Sequence, residues 1–330
     1  MIILAVLATT AVPVYAESEI HGFAQVQAVA EDTNYSYQIS RFGLRATEKF
    51  DEEFDILTEI YIHPTTNVVQ GRVYMESAYV NWHLAERLPW DFHLRIGKGR
   101  NICYGQAPFY SRRRTSDYSL YSEAFTQLRV LGIQSTSNFG PIMVNLGIIN
   151  PYTNAGRRVP DFPIGDSVTL QMSDRDTDMS AIQRVGGVGR IGYHDEIFNV
   201  GASAYVSETE ADDDNEYTRF GVDGEAKLAD VFLVQGQFTA AQTMGLDHNG
   251  FEILGGYEQG KLGCYARYGM LTYDNDLIMD VDQIMLSVIY KIRPRIHYRL
   301  EALINGEDTK DTGMDEVCNN RLFGEILFAF

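Results

Sequence analysis

The chain has 330 residues, of which 45% are hydrophobic and 22% are charged, and this composition excludes a disordered tail protein. Its formal net charge of -18 excludes nucleic acid as an expected partner, because phosphate backbones attract clustered Lys and Arg and repel an acidic surface. The length suits one large β domain or two domains of ordinary size.

The first sixteen residues form an uncharged apolar run, MIILAVLATTAVPVYA. Val14 and Ala16 place small residues at the positions that a signal peptidase reads. We therefore predict a signal peptide over residues 1–16 and a mature domain over residues 17–330, with a short buried strand as the alternative for the leader. After Ala16 the sequence has no run of the ~18 to 20 apolar residues that a membrane helix requires.

Apolar and polar side chains then alternate with a period of two along most of the chain. Between Phe220 and Leu228, for example, apolar or small residues alternate with charged residues that include Asp223 and Lys227. The pattern predicts strands of ~9 to 13 residues, whereas strands of soluble proteins average ~5 to 6. The sixteen predicted strands cover residues 19–29, 36–48, 54–63, 72–84, 90–99, 128–138, 141–150, 182–194, 197–207, 216–228, 231–241, 249–258, 262–273, 280–291, 294–304 and 319–330.

The connections between these strands alternate between short turns, such as SNFGP and LAD, and longer polar loops, such as ETEADDDN. An even strand number with this alternation predicts an all-β fold, a transmembrane antiparallel β-barrel of about 16 strands with both termini at the short-turn end. The 20 Tyr and 17 Phe residues, many near strand ends, are typical of the aromatic girdles of such barrels. A soluble β-sandwich is the alternative, although its strands are shorter.

The last segment, LFGEILFAF, alternates in the same way and ends on Phe330. We predict that it closes the barrel against the first strand, EIHGFAQVQAVA, with its apolar face towards lipid. The alternating strand with a terminal Phe330 is similar to the assembly signal of bacterial outer-membrane proteins. SRFGLRATEKF, ESAYVNWHL and FHLRIGKGR resemble the second, fourth and fifth strands of Gram-negative general porins, and LRIGKGRNICYGQAPF with RVLGIQSTSNFGPIMVNLGIIN resembles the phosphate-selective porins.

This resemblance implies a sixteen-stranded, usually trimeric, water-filled channel in the cell outer membrane. It would pass small hydrophilic solutes and ions by passive diffusion. In these families the third long loop folds into the barrel and sets the constriction, and here that loop covers about residues 100–127. The constriction residues that the resemblance implies are Arg112, Arg113, Arg114, Asp117 and Glu123.

Parity assigns charged residues to the channel wall. If Phe42 and Leu44 face lipid, then Arg41 and Arg45 face the lumen, because a charge on the lipid face at mid-depth costs ~2 to 4 kcal/mol. The predicted pore-lining residues are Arg41, Arg45, His93, Arg95, Arg295 and Arg299. A guanidinium group stays ionised, so these residues predict a weak anion preference. The alternative is that such arginines pair with carboxylates across the lumen, the candidates being Asp223, Glu225, Glu301 and Glu325.

Two other classes of protein stay open. The sequence has no GxSxG or HExxH motif, so an outer-membrane hydrolase is the weaker alternative, and we expect no enzyme, no cofactor and no metal. A structural or adhesive barrel is the other alternative, because barrels also serve as scaffolds. The expected partners are small hydrophilic solutes and ions, outer-membrane lipid and, from the resemblance, two further copies in a homotrimer. The odd set of Cys103, Cys264 and Cys318 leaves room for one bridge, between Cys103 and Cys318.

Overall fold

The structure is a computed structural model that describes residues 17–31, 34–63, 72–84, 88, 90–105, 119–126, 129–149, 186–208, 216–243, 246–274, 280–308 and 320–330. The strands are β1 (Glu17–Glu31), β2 (Asn34–Lys49), β3 (Phe54–His63), β4 (Arg72–His83), β5 (Asp91–Arg100), β6 (Arg129–Phe139), β7 (Ile142–Ile149), β8 (Gly186–His194), β9 (Phe198–Glu208), β10 (Glu216–Leu228), β11 (Phe232–Thr243), β12 (Leu246–Gln259), β13 (Leu262–Tyr273), β14 (Asp280–Arg293), β15 (Ile296–Asp308) and β16 (Arg321–Ala329). A π-helical turn covers Ser122–Thr126.

The sixteen strands form one closed antiparallel barrel in which each strand pairs with its neighbours in sequence and β1 pairs with β16. The predicted fold class is therefore confirmed. The β11 and β12 strands extend further than the sequence predicts, because cross-strand pairing continues to Thr243 and Leu246. The β15 strand begins at Ile296, which leaves Arg295 in the preceding turn. No helix in the described part of the chain is long and apolar enough to cross a membrane.

The short turns at one end of the barrel are built from residues that tolerate tight backbone geometry. Ala229 and Asp230 both have positive φ angles, of 50° and 60°, which matches the primed hairpin turns whose twist suits neighbouring strands. In the turn between β8 and β9, Asp195 accepts hydrogen bonds from the backbone N–H groups of Ile197 and Phe198 at 2.8 and 2.7 Å. These bonds stabilise the carboxylate and lower the pKa of Asp195.

The two faces of the barrel wall differ in chemistry. The outer face exposes large apolar side chains, among them Leu146 at 59% and Phe220 at 62% of the side chain's full exposure. The inner face carries polar and charged side chains such as Gln134, Arg190 and Glu325, all of which are buried. A strand turns successive side chains to opposite faces, so the period-two pattern in the sequence produces this division. An apolar outer belt of this kind is typical of barrels that contact lipid.

The closing strand behaves as the sequence predicts. In β16, Ile326 and Phe328 point outwards and are exposed, while Glu325 and Leu327 point inwards and are buried. Beyond the strand, the Phe330 N–H donates to the Gly22 carbonyl at 2.9 Å, and the Gly22 N–H donates to the Phe330 carbonyl at 2.8 Å. A side chain at Gly22 would collide with the Phe330 ring, so glycine leaves the space that this ring occupies on the outer face.

Candidate functional site

Between β5 and β6, residues 101–105 and 119–126 lie inside the barrel, and they are called the inner segment here. Two of its tyrosines meet one wall residue on β11: the hydroxyl of Tyr104 lies 3.0 Å from Thr239 Oγ1, and that of Tyr121 lies 2.7 Å from the same atom. Thr239 belongs to a strand six positions along the wall from β5. The inner segment therefore crosses the lumen from the strand in which it originates.

Wall amides on β6 and β7 hold the start of the inner segment. Gln134 accepts a hydrogen bond from the Ile102 N–H at 2.9 Å and donates one to the Arg100 carbonyl at 3.2 Å. Asn145 donates to the Ile102 carbonyl at 3.1 Å. A buried chain without regular structure needs partners for its backbone N–H and C=O groups, and these two lumenal amides supply them.

The apolar side chains of the inner segment form a cluster inside the barrel. Phe125 is fully buried and stacks on His248 of β12, with ring centroids 5.7 Å apart. The cluster contains Cys103, Tyr104, Leu120, Tyr121 and Phe125 of the inner segment, and Val130, Ile149, Val188, Tyr205, Ala241, Leu271, Tyr273 and Val281 of the wall. Burial raises the pKa of the Cys103 thiol to about 12, and it also raises the pKa of Tyr121. Cys103 is a free thiol in this structure, while Cys318 lies outside the described residues.

The predicted constriction residues are only partly described. Glu123 lies in the π-helical turn of the inner segment. Arg112, Arg113, Arg114 and Asp117 lie outside the described residues. Their role in a constriction stays a prediction.

Parity places five of the six predicted pore-lining residues on the inner face. Arg41, Arg45, His93, Arg95 and Arg299 all alternate with outward apolar residues. The sixth, Arg295, is exposed in the turn before β15 and lines a cavity of about 270 Å³ together with Arg45, Glu59 and Phe330. These positions are compatible with a pore-lining role.

Two of the predicted pore-lining arginines have carboxylate partners, and one of these partners, Glu325, is among the candidates that the sequence suggests. Arg45 Nη2 lies 2.9 Å from Glu59 Oε1, and the two residues are direct neighbours on β2 and β3. Arg299 Nη1 lies 2.8 Å from Glu325 Oε1 on the neighbouring strand β16. Each pair brings opposite charges close together, so it projects less field into the lumen than a single guanidinium would.

Glu325 joins both sides of the closing seam between β1 and β16. Besides Arg299, it accepts hydrogen bonds from the side chains of Gln25 and Gln27 on β1, the latter at 2.8 Å. All four residues are buried. The sequence predicts the inward orientation of Glu325, but only the register of β1 against β16 brings both glutamines to its carboxylate.

A further buried ion pair joins Asp223, one of the candidate carboxylate partners, to Arg190, which is not among the predicted pore-lining residues. Arg190 on β8 reaches across β9 and holds Asp223 on β10 with two hydrogen bonds, of 3.0 Å from Nε and 2.5 Å from Nη2. Gly201 lies between them on β9, opposite Asp223, and leaves room for the guanidinium. The period-two pattern already turns Arg190 inwards, so this signal is available in the sequence. The pairing of Arg190 with Asp223, two strands away, cannot be derived from this pattern.

Two histidines meet at the short-turn end of the wall. His83 at the end of β4 and His93 near the start of β5 are direct neighbours, with Nδ1 atoms 2.6 Å apart and ring planes at 83°. The Nε2 atom of His83 lies 2.6 Å from Asp55 Oδ2, and that of His93 lies 2.6 Å from Asp91 Oδ1. Within the described residues, no group of three or more His, Cys, Asp or Glu side chains converges on a metal position.

Comparison with solved structures shows the same fold in outer-membrane channels and porins. The outer membrane channel DcaP of Acinetobacter baumannii superposes with a TM-score of 0.68 at 14% identity, over 96% of this chain and 97% of that one. OmpT of Vibrio cholerae, solved in a trimer form, superposes with a TM-score of 0.60 at 13% identity, over 96% of this chain and 99% of that one. The anion-selective porin of Comamonas acidovorans superposes with a TM-score of 0.61 at 13% identity, over 96% of this chain and 100% of that one. No protein-family model matches the sequence, and a comparison with curated proteins finds no similar sequence.

Proposed function

We propose that the protein is an outer-membrane porin, a water-filled channel through which small hydrophilic solutes and ions diffuse passively. The observation that carries this proposal is a closed barrel with an apolar outer belt and a polar inner wall, into which the inner segment folds. The solved structures with this fold include proteins described as an outer membrane channel and an anion-selective porin. Single-channel recording on purified protein in a planar bilayer tests the proposal directly. Discrete conductance steps support it, and an electrically silent barrel refutes it.

The constriction is the finer part of the proposal. The region over about residues 100–127 would narrow the lumen, because Tyr104 and Tyr121 both attach to Thr239 on a distant part of the wall. Facing it would be an arginine-lined wall formed by the predicted pore-lining residues. Tyr121→Phe removes one of these hydroxyls while keeping the ring, so it should change current noise more than mean conductance. The ring itself provides most of the buried contact, which explains this difference.

Selectivity should be weak, because Arg45 and Arg299 lie within 2.9 and 2.8 Å of carboxylates. We propose that the sign of the residual preference is decided by small changes in these pairs. Glu59→Gln should shift the reversal potential towards anions, and Arg45→Gln should shift it by a comparable amount towards cations, both most strongly at low salt. Asp195→Asn, in an exposed turn, is the matched control and should leave the reversal potential unchanged. Equal reversal potentials in all four proteins would refute the wall assignment while leaving the conductance test intact.

Export and assembly belong to the same proposal. Residues 1–16 would act as the signal peptide, the barrel would reside in the cell outer membrane, and three copies would assemble as a homotrimer. A solved protein of the same fold exists in a trimer form. Mass determination of the mature N-terminus and of the detergent-solubilised oligomer tests both points. An uncleaved leader or a monomeric particle would contradict them separately.

A structural barrel is the second candidate, favoured by the burial of Tyr121 and Phe125 within the lumen. If the inner segment fills the channel, no conductance would be measured although the barrel folds. The absence of catalysis stays a prediction. Lipid and peptide hydrolysis assays on the purified protein test it.

A further inference from the structure

The contacts of His83 and His93 at the short-turn end cannot all be hydrogen bonds if both imidazoles are neutral. A carboxylate can only accept hydrogen bonds, so the 2.6 Å contacts to Asp55 and Asp91 require a proton on Nε2 of both His83 and His93. A neutral imidazole with a proton on Nε2 has a lone pair on Nδ1. The two Nδ1 lone pairs therefore face each other across 2.6 Å, an arrangement that is repulsive unless a proton or a metal ion lies between them.

We propose that His83 and His93 bind a divalent transition-metal ion between their Nδ1 atoms. Imidazole nitrogen suits Zn²⁺, Cu²⁺ and Ni²⁺, whereas Ca²⁺ and Mg²⁺ prefer oxygen ligands. With metal–nitrogen bonds of about 2.0 to 2.1 Å in a tetrahedral arrangement, the two nitrogens would be about 3.3 Å apart. To reach this geometry the Nδ1 atoms must separate from 2.6 Å to about 3.3 Å. Both rings must also rotate, because centroids only 4.8 Å apart place the two nitrogens nearly head-on. Both side chains are about one-third exposed, at 33% and 36%, so they can move and water can complete the coordination.

The surrounding residues form the outer layer that such sites use. A histidine that ligates a metal usually donates its other N–H to a carboxylate, which fixes the ring and increases the basicity of the ligating nitrogen. Here each imidazole has its own carboxylate, and each carboxylate is held in turn by an amide. Asn81 donates to Asp55 and Asn138 donates to Asp91, both at 2.7 Å.

The local charge also favours a dication. Asp55 and Asp91 contribute two negative charges, which a divalent ion neutralises and a single shared proton does not. The nearby cation Arg95 directs its Nε towards Asn81 at 3.4 Å, and its guanidinium carbon lies 4.1 Å above the Tyr79 ring. Its charge therefore has other contacts than the imidazole pair. Metal binding at this site is independent of whether the barrel conducts.

The test is metal binding by the folded full-length protein, purified without a histidine tag and treated with a chelator. Calorimetric titration with Cu²⁺ or Zn²⁺ should give one saturable site per chain, and Ca²⁺ should give none. The electron paramagnetic resonance spectrum of bound Cu²⁺ should show splitting from two nitrogens. His83→Gln and His93→Gln should each remove one nitrogen from this pattern. Asp91→Asn should weaken binding by about 10- to 100-fold, the usual effect of losing an outer partner.

His21→Gln is the matched control, because His21 is also near the short-turn end and has a carboxylate partner, Glu19 at 3.2 Å, but its described contacts include no second imidazole. It should leave the Cu²⁺ site unchanged. Heat-modifiable migration reports whether each variant folds, and Asp91→Asn supplies the result if the histidine variants do not. Binding that is absent in the native protein, that survives His93→Gln, or that disappears in His21→Gln would overturn the proposal. So would imidazole NMR signals that titrate one shared proton without responding to Cu²⁺ or Zn²⁺.

Discussion

Gly201→Ala should destabilise the protein, because the Arg190 guanidinium, which Asp223 holds, occupies the space where a Cβ atom would lie. The guanidinium and the Asp223 carboxylate are 3% and 1% exposed, so their pair is shielded from solvent. Gly201→Ala should push the guanidinium away from Asp223 without removing either charge. The change is a single methyl group, and its effect should depend entirely on Arg190.

The loss in the free energy of unfolding that Gly201→Ala should cause can be judged from two known costs. Inserting a methyl group into a filled site costs about 1 to 3 kcal/mol. Removing one partner of a buried ion pair costs about 3 to 5 kcal/mol, because the other charge is left uncompensated. Gly201→Ala displaces the pair without deleting it, so we expect a loss of about 1 to 3 kcal/mol in the free energy of unfolding. Asp223→Asn should cost more, close to the upper limit.

Urea unfolding of the protein in lipid vesicles, followed by tryptophan fluorescence, measures these losses. The decisive comparison repeats Gly201→Ala in an Arg190→Met background, where the methyl group meets no guanidinium and should cost less than about 0.5 kcal/mol. Gly269→Ala is the control for the substitution itself. Gly269 also faces the lumen from a strand, and its nearest neighbour would be the Phe251 carbonyl at an ordinary 3.5 Å. Equal losses with and without Arg190 would refute the reasoning.

Three other changes have defined outcomes. Burial raises the pKa of the Cys103 thiol to about 12, so it should stay protonated and unalkylated between pH 7 and 9 in the folded protein and react only after unfolding. Mass spectrometry measures its alkylation, with Cys264 as the reference thiol. Alkylation of the native protein that accelerates over this pH range would contradict the burial of Cys103. Deleting Phe330 should impair assembly of the barrel, and Gly22→Ala should do so more mildly, because the added methyl group displaces the Phe330 ring. Heat-modifiable migration in gels measures assembly. Normal migration of the deletion variant would show that Phe330 is not needed to close the barrel. Phe125→Ala should lower the free energy of unfolding by about 3 to 5 kcal/mol, since it removes a fully buried ring of the inner segment. In a conducting barrel it should also make the current noisier. An unchanged unfolding curve would show that other contacts hold the inner segment.

The wall of the barrel could be predicted from the sequence because its physics is local. Lipid outside and polar groups inside impose a period of two on every strand, so residues such as Phe42 and Arg41 are assigned to faces by counting alone. Strand ends were less predictable. The sequence predicts a strand that begins at residue 294 and includes Arg295, but the backbone turns there and β15 begins two residues later, at Ile296.

The polar contacts of the interior could not be predicted, because they depend on register and on strands that are not adjacent in sequence. His93 has the inward parity that the sequence predicts, yet its contact with His83 depends on the register of β4 against β5. Arg190 meets Asp223 only because three consecutive strands align with a glycine between the two charges. Such contacts are properties of the assembled wall and leave no local trace in the sequence.

The seam between β1 and β16 determines when the molecule acquires an inside. Gln25 and Glu325 are 300 positions apart, whereas every other neighbouring pair of strands is joined directly along the chain. Without this one pairing, the same sixteen strands would form an open sheet with two free edges and no enclosed lumen. The pairing of β1 with β16 separates the polar inner face from the apolar outer face, and the same pairing brings Gln25 and Gln27 to the Glu325 carboxylate that Arg299 also contacts. The lumen of this fold is therefore enclosed by the pairing of the chain's last strand with its first.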